Sequence, residues 1–147
     1  MSVARPIVLC LPAGMALFDP EPEQTAKRDV RLIEALDGNS AGVVGWSSGG
    51  WAALAVAAQQ PDLVERLVLV STPFPDDEPD GVDLDDVRAK TLLLFGSGDP
   101  QTGSRHGRRW QRRLPNARLE MVPGAGNELL VPMWSRILSH LAPRTTR

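Results

Sequence analysis

The chain has 147 residues, 42% of them hydrophobic and 23% charged, with a net charge of −2 at neutral pH, the make-up of one globular domain that buries roughly two-thirds of its unfolded surface. Charge so nearly balanced offers no general field to nucleic acid or an anionic membrane, and neither is expected as a partner. Cys10 is the only cysteine, which excludes an internal disulfide; with no secretory leader pattern and no apolar run near the ~20 residues of a bilayer span, the chain reads as soluble and cytoplasmic.

In chain order, the first predicted element is a strand at Ile7-Val8-Leu9-Cys10-Leu11. Val30, Ile33 and Leu36 then follow helical spacing within Thr25 to Leu36, with Gly38 as a stop. A second strand, Val43-Val44-Gly45-Trp46, leads into an Ala-rich helix that runs to about Gln60 and ends at Pro61. Leu67 to Val70 is a third strand, and the acidic, proline-bearing stretch Pro73 to Asp86 after it is predicted to be a solvated loop. A fourth strand at Thr91 to Phe95, a helix at Arg105 to Leu114, a fifth strand at Ala117 to Val122 and a helix at Met133 to Leu141 complete the series.

The three middle strands are apolar at successive positions, so they are expected to be covered on both faces as in a parallel sheet. Alternation of strands and helices implies βαβ units with right-handed crossovers and ligands at the carboxyl ends of the strands. The predicted fold is therefore a single α/β domain over residues 1–147. It has three layers and about five mainly parallel strands.

Gly45-Trp46-Ser47-Ser48-Gly49 lies between a predicted strand and a predicted helix, the context that gives Gly-x-Ser-x-Gly its meaning as a nucleophile elbow. Small residues on either side let the chain turn tightly and present Ser47 above the sheet, and the helix start aims the Ser48 N–H at developing negative charge. A glycine-rich turn with a serine cap is the plain structural alternative.

The stretches from Val43 to Gly50, from Pro61 to Pro73 and from Leu92 to Pro100 resemble the α/β-hydrolase family, and the likeness spans most of residues 5 to 142. The Gly-Trp-Ser-x-Gly-Gly form is similar to carboxylesterases of small acyl esters. The resemblance implies a minimal α/β-hydrolase fold without a full cap, with Ser47 as nucleophile, Asp99 as triad acid and the Ser48 and Met15 amides as oxyanion donors. The family's histidine follows the last strand in Pro-Gly-x-Gly-His; here that segment is Pro123-Gly124-Ala125-Gly126-Asn127. Carboxamide has no titratable base, and loss of a triad member leaves roughly 10³ to 10⁴-fold acceleration over water. His106 is the better candidate for a replacement base, ahead of His140. Asp99 itself is a further one, as are Asp76 and Asp77, since some family members carry their acid after the third strand.

Two readings follow. One is a serine hydrolase of a small ester, thioester or lactone, acting through Ser47 with an impaired triad. The other is a non-hydrolytic member, either a cyclase, lyase or isomerase-type enzyme or a binding protein. No cofactor or metal is expected. Trp46 and Trp51 are candidate pocket walls. The edge beyond the first strand looks trimmed, with Ala16 to Asp19 as a remnant, and one sheet face is expected to be undercovered, which calls for a second copy of the chain.

Overall fold

Apolar runs separated by helices lie side by side in the computed structural model, which describes residues 7–12, 14–18, 27–28, 41–76 and 82–141. The strands are β1 (Ile7–Leu11), β2 (Gly14–Phe18), β3 (Lys27–Arg28), β4 (Ala41–Trp46), β5 (Val64–Val70), β6 (Lys90–Gly96) and β7 (Ala117–Val122). They form one sheet in the order β3-β2-β1-β4-β5-β6-β7. From β1 through β4 to β7 every pairing is parallel. The five predicted strands and their neighbours are thus as expected.

The β1 edge differs from expectation. Instead of stopping at β1, the sheet continues as an antiparallel hairpin with Leu11 opposite Gly14 and Ile7 opposite Phe18, and β3 pairs beyond it. Lys27–Arg28, inside the stretch expected to be helical, is therefore extended, because β2 offers it an open edge to pair with. Val30, Ile33, Leu36 and Gly38 lie outside the described residues.

Three helices accompany the sheet: α1 (Gly49–Gln59), α2 (Gly103–Arg113) and α3 (Trp134–Leu141). Successive strand residues point to opposite faces, and the two cores follow that period. Val8, Cys10, Val43, Leu67, Leu69, Leu93 and Phe95 pack with Ala53, Leu54 and Ala57 of α1 and Trp110 of α2. Leu9, Val44, Val68, Val70, Leu92 and Leu94 pack on the other face with Leu129 and with Ile137 and Leu141 of α3. Burying each such side chain contributes roughly 1.5–3 kcal/mol.

As expected from right-handed crossovers, α3 is the only described helix on its face. That face is nevertheless buried within one chain, with Ile7, Val44, Val68 and Leu94 all at 0% exposure. Among the described residues the only exposed large apolar side chains are Trp51 and Val131. Among these residues no apolar sheet face is left exposed for a second copy to cover, so the expected homo-oligomer is not needed to bury it.

The acidic stretch after β5 is only partly the solvated loop expected. Leu84, in a 3₁₀ turn at Leu84–Asp86, and Val87 are fully buried in the α1/α2 core. Asp83, Asp85 and Asp86 face solvent, and Arg113 of α2 pairs with Asp85 of the same chain at 2.8 Å. Among the described residues no helix is long and apolar enough to cross a membrane.

Candidate active site

At the end of β4 the chain turns so sharply that Ser47 has φ 54°, a left-handed conformation that costs a non-glycine residue on the order of 1–3 kcal/mol. Hydrogen bonds hold it there: Ser47 N–H donates to Val70 O at 2.8 Å, and Gly50 N–H donates to Ser47 O at 3.0 Å. The glycines are required for space. A Cβ on Gly45 would overlap the Gly50 backbone, and one on Gly49 would overlap the Cys10 carbonyl of β1. Ser48 is the N-cap of α1, in helical conformation. Neither its N–H nor the Ser47 hydroxyl has a hydrogen-bond partner among the described residues.

Asp99 lies in the turn after β6 and is 7% exposed. Its Oδ1 accepts the Gln101 N–H at 2.9 Å and its Oδ2 accepts the Thr102 hydroxyl, a local Asx-type turn that leads into α2. Both carboxylate oxygens thus serve their own loop.

The turns after β6 and β7 are laced together. Ser97 N–H donates to Val122 O at 3.1 Å, Gly98 N–H to Ala125 O at 2.9 Å and Gly124 N–H to Ser97 Oγ at 2.7 Å. Just beyond, the backbone oxygen of Asn127 accepts the Trp46 indole N–H at 2.8 Å and the Ser71 hydroxyl at 3.1 Å. Asn127 is thereby joined to the last residue of the elbow strand. These bonds use its main chain; its carboxamide makes none among the described residues.

Ser47, Asp99 and Asn127 therefore stand at one pole, the carboxyl ends of the parallel strands, but no hydrogen-bonded relay links their side chains among the described residues. Met15 is not brought to them. It lies in β2 opposite Cys10, with β1 between it and the elbow strand, about two strand spacings or ~9–10 Å from Gly45.

The other candidates are also placed. His106 Nδ1 accepts the Phe74 N–H at 2.8 Å, so the proton of the neutral ring sits on Nε2. Burial, with Arg105 and Arg109 adding, lowers its pKa against the opposing pull of Asp99 and Asp76, and the ring is neutral at pH 7. It serves the segment after β5 rather than Ser47. That segment is clamped further by Trp110 Nε1 to Thr72 O at 2.8 Å and Trp51 Nε1 to Pro73 O at 2.9 Å. Phe74 lies 4.6 Å from the Trp110 ring, with the Arg109 guanidinium 4.2 Å over its own ring. Asp76 is exposed and Asp77 lies outside the described residues. His140 bonds the Lys90 carbonyl at 2.8 Å, at the amino end of β6 and thus the opposite pole.

Sequence reasoning missed Ser71. It has φ 53° and is 2% exposed, and it ends the strand beside β4 in the same left-handed conformation as Ser47. Its only sequence signal, an apolar run closing in Ser-Thr-Pro, is too common to single it out. Among the described residues no three His, Cys, Asp or Glu side chains are grouped to hold a metal.

The family described as TAP-like protein matches residues 66–135, just under half of the chain. Among solved structures, a predicted CIB-like hydrolase from Thermoplasma acidophilum superposes with a TM-score of 0.59 at 24% identity, covering 71% of this chain and 51% of that one. An α/β-hydrolase enzyme from the metagenome of Mar Chica lagoon sediments gives 0.61 at 19% identity, with 74% and 63% covered. The chain has the α/β-hydrolase fold. A monoacylglycerol lipase from Paleococcus ferrophilus shares this α/β-hydrolase fold at a TM-score of 0.60 and 15% identity, with 95% and 98% covered. The chain thus spans 51% and 63% of the first two structures. No curated protein matches it.

Proposed function

We propose that this α/β-hydrolase-fold protein takes a small ester, thioester or lactone at the carboxyl-end pole of its sheet. Ser47 Oγ attacks the acyl carbon while the Ser48 N–H receives the developing oxyanion; the serine proton passes, directly or through water, to the leaving alcohol or thiol as its bond to that carbon breaks, and water then hydrolyses the acyl-serine to free acid and Ser47. The observation that carries this reading is Ser47 itself, held at φ 54° by bonds to β5 and α1, with its hydroxyl and the following amide both without a hydrogen-bond partner among the described residues. Strain of this kind persists only where its surroundings enforce it, and it marks functional positions. The α/β-hydrolase fold shared with a monoacylglycerol lipase is compatible with an ester substrate. With Asn127 where a base would stand, turnover is slow.

A second reading, a binding or non-hydrolytic member, is favoured by one specific observation. Both oxygens of Asp99 are engaged by Gln101 and Thr102, and Asn127 cannot titrate. Labelling with a fluorophosphonate probe separates the two. Covalent labelling that Ser47→Ala abolishes supports the acyl-transfer reading, and complete inertness of the folded wild type selects the second.

A further inference from the structure

We propose that the pole opposite Ser47 holds a binding site for a small multivalent phosphate anion, lined by Arg66, Lys90, Arg118 and His140. The strand register builds it. Arg66 of β5 is directly opposite Lys90 of β6, and Leu92 is opposite Arg118 of β7. Because residues two apart on a strand share a face, Arg66, Lys90 and Arg118 all emerge on the α3 side of the sheet. Like charges directly opposite one another destabilise a sheet. Three cations from three adjacent strands are a cost that an anion relieves.

A cleft of about 290 Å³ opens between them, lined also by Thr91, Leu92, Asn116 and Ala117, and among the described residues no acidic side chain lines it. A cavity needs only about 10–15 Å³ of such space to hold one water, so the cleft has room for a small multivalent anion. Glu120 of β7 offsets part of this charge but is shared between two cations. Arg136 of α3 engages both of its oxygens, while Arg118 reaches it only at 3.5 Å. His140 closes the cleft from α3. Its Nε2–H donates to the Lys90 carbonyl at 2.8 Å, and its own carbonyl accepts from Arg66 at 3.4 Å. Guanidinium forks match phosphate oxygens in geometry and charge. Burial lowers the His140 pKa against the bond to the Lys90 carbonyl, and Arg66, Arg136 and Arg118 lower it further.

The test is calorimetric titration with inorganic pyrophosphate at constant ionic strength. Saturable binding of one pyrophosphate per chain is expected. Arg66→Gln and Arg118→Gln should each weaken it by about tenfold or more, the loss of one charge-assisted contact. Should Arg66→Gln fail to fold, Lys90→Gln, at an exposed strand start, serves in its place. Ser47→Ala should bind as wild type does, which separates this site from the acyl site. The proposal is overturned by the absence of saturable heat at millimolar pyrophosphate. It is equally overturned by affinity that survives Arg118→Gln, or by sulfate competing as well as pyrophosphate does.

Discussion

Replacing Asn127 with histidine supplies the one chemical group the pole lacks. The position is suited to it because the bonds that fix residue 127 run from Trp46 and Ser71 to its backbone oxygen, so they survive any change of side chain. A positioned general base contributes typically 10² to 10⁴-fold, or about 3–5 kcal/mol of barrier at 1.36 kcal/mol per factor of ten. Asp99 can orient the new imidazole only by sharing an oxygen already held by Thr102 or Gln101, so the expected gain is at the lower end, about 100-fold in kcat/KM. The double variant with Thr102→Val frees Oδ2 and should gain further. The assay is hydrolysis of p-nitrophenyl acetate across pH, where Asn127→His should show a new limb near an imidazole pKa of ~6.5 that wild type lacks. A folded Asn127→His that labels at Ser47 yet hydrolyses no faster than wild type would refute the argument that a missing base limits this site.

Three further outcomes follow from the packing and the ionisations. Gly49→Ala drives a methyl into the Cys10 carbonyl and should cost about 1–3 kcal/mol in urea unfolding, whereas Gly126→Ala, with nothing within 4 Å of the added carbon, should leave the midpoint nearly unchanged. Equal effects would contradict the close approach of α1 and β1. Glu120 has its pKa lowered, chiefly by the hydrogen bond from Arg136 and against the effect of burial. Its contribution is present above the unfolded value near 4.5 and lost as pH falls through the lower folded value. The stability difference between wild type and Glu120→Gln, at most about 1 kcal/mol for a pair this exposed, should therefore be full at pH 7 and vanish in strong acid, and a difference independent of pH would oppose it. Burial pushes the Cys10 thiol up to about 12, so a thiol reagent at pH 8 should modify it only at the rate of unfolding; rapid labelling of native protein would show that β1 opens freely.

How much was legible in the sequence can be judged from particular elements. Strands β4, β5 and β6 could be read because burial on both faces demands unbroken apolar runs, and the elbow because its turn tolerates only glycine at Gly45 and Gly49. Strand β2 could be read only as a remnant. An edge strand needs neither a long apolar run nor alternation, and its pairing with β1 depends on a reversal between Leu11 and Gly14. Met15 was misplaced as a donor for the same reason: the fold of that hairpin, and not its position after an apolar run, sets where its amide lies. The state of Asp99 was equally hidden, since any Asx turn looks like a triad acid in one dimension.

The sequence by itself determined the strand set, the strained turn at Ser47 and the presence of a non-titrating carboxamide at Asn127, because each depends on local sterics, periodicity or the chemistry of a single side chain. Only the tertiary structure decided that the Asp99 oxygens are taken by Thr102 and Gln101 and that Asn127 is tethered to Trp46. It also decided that His106 serves Phe74, and that Arg66, Lys90 and Arg118 share one cleft. Each of these depends on which strand ends and helix starts are brought within a few ångströms, and strand register, which no single segment carries, sets those distances.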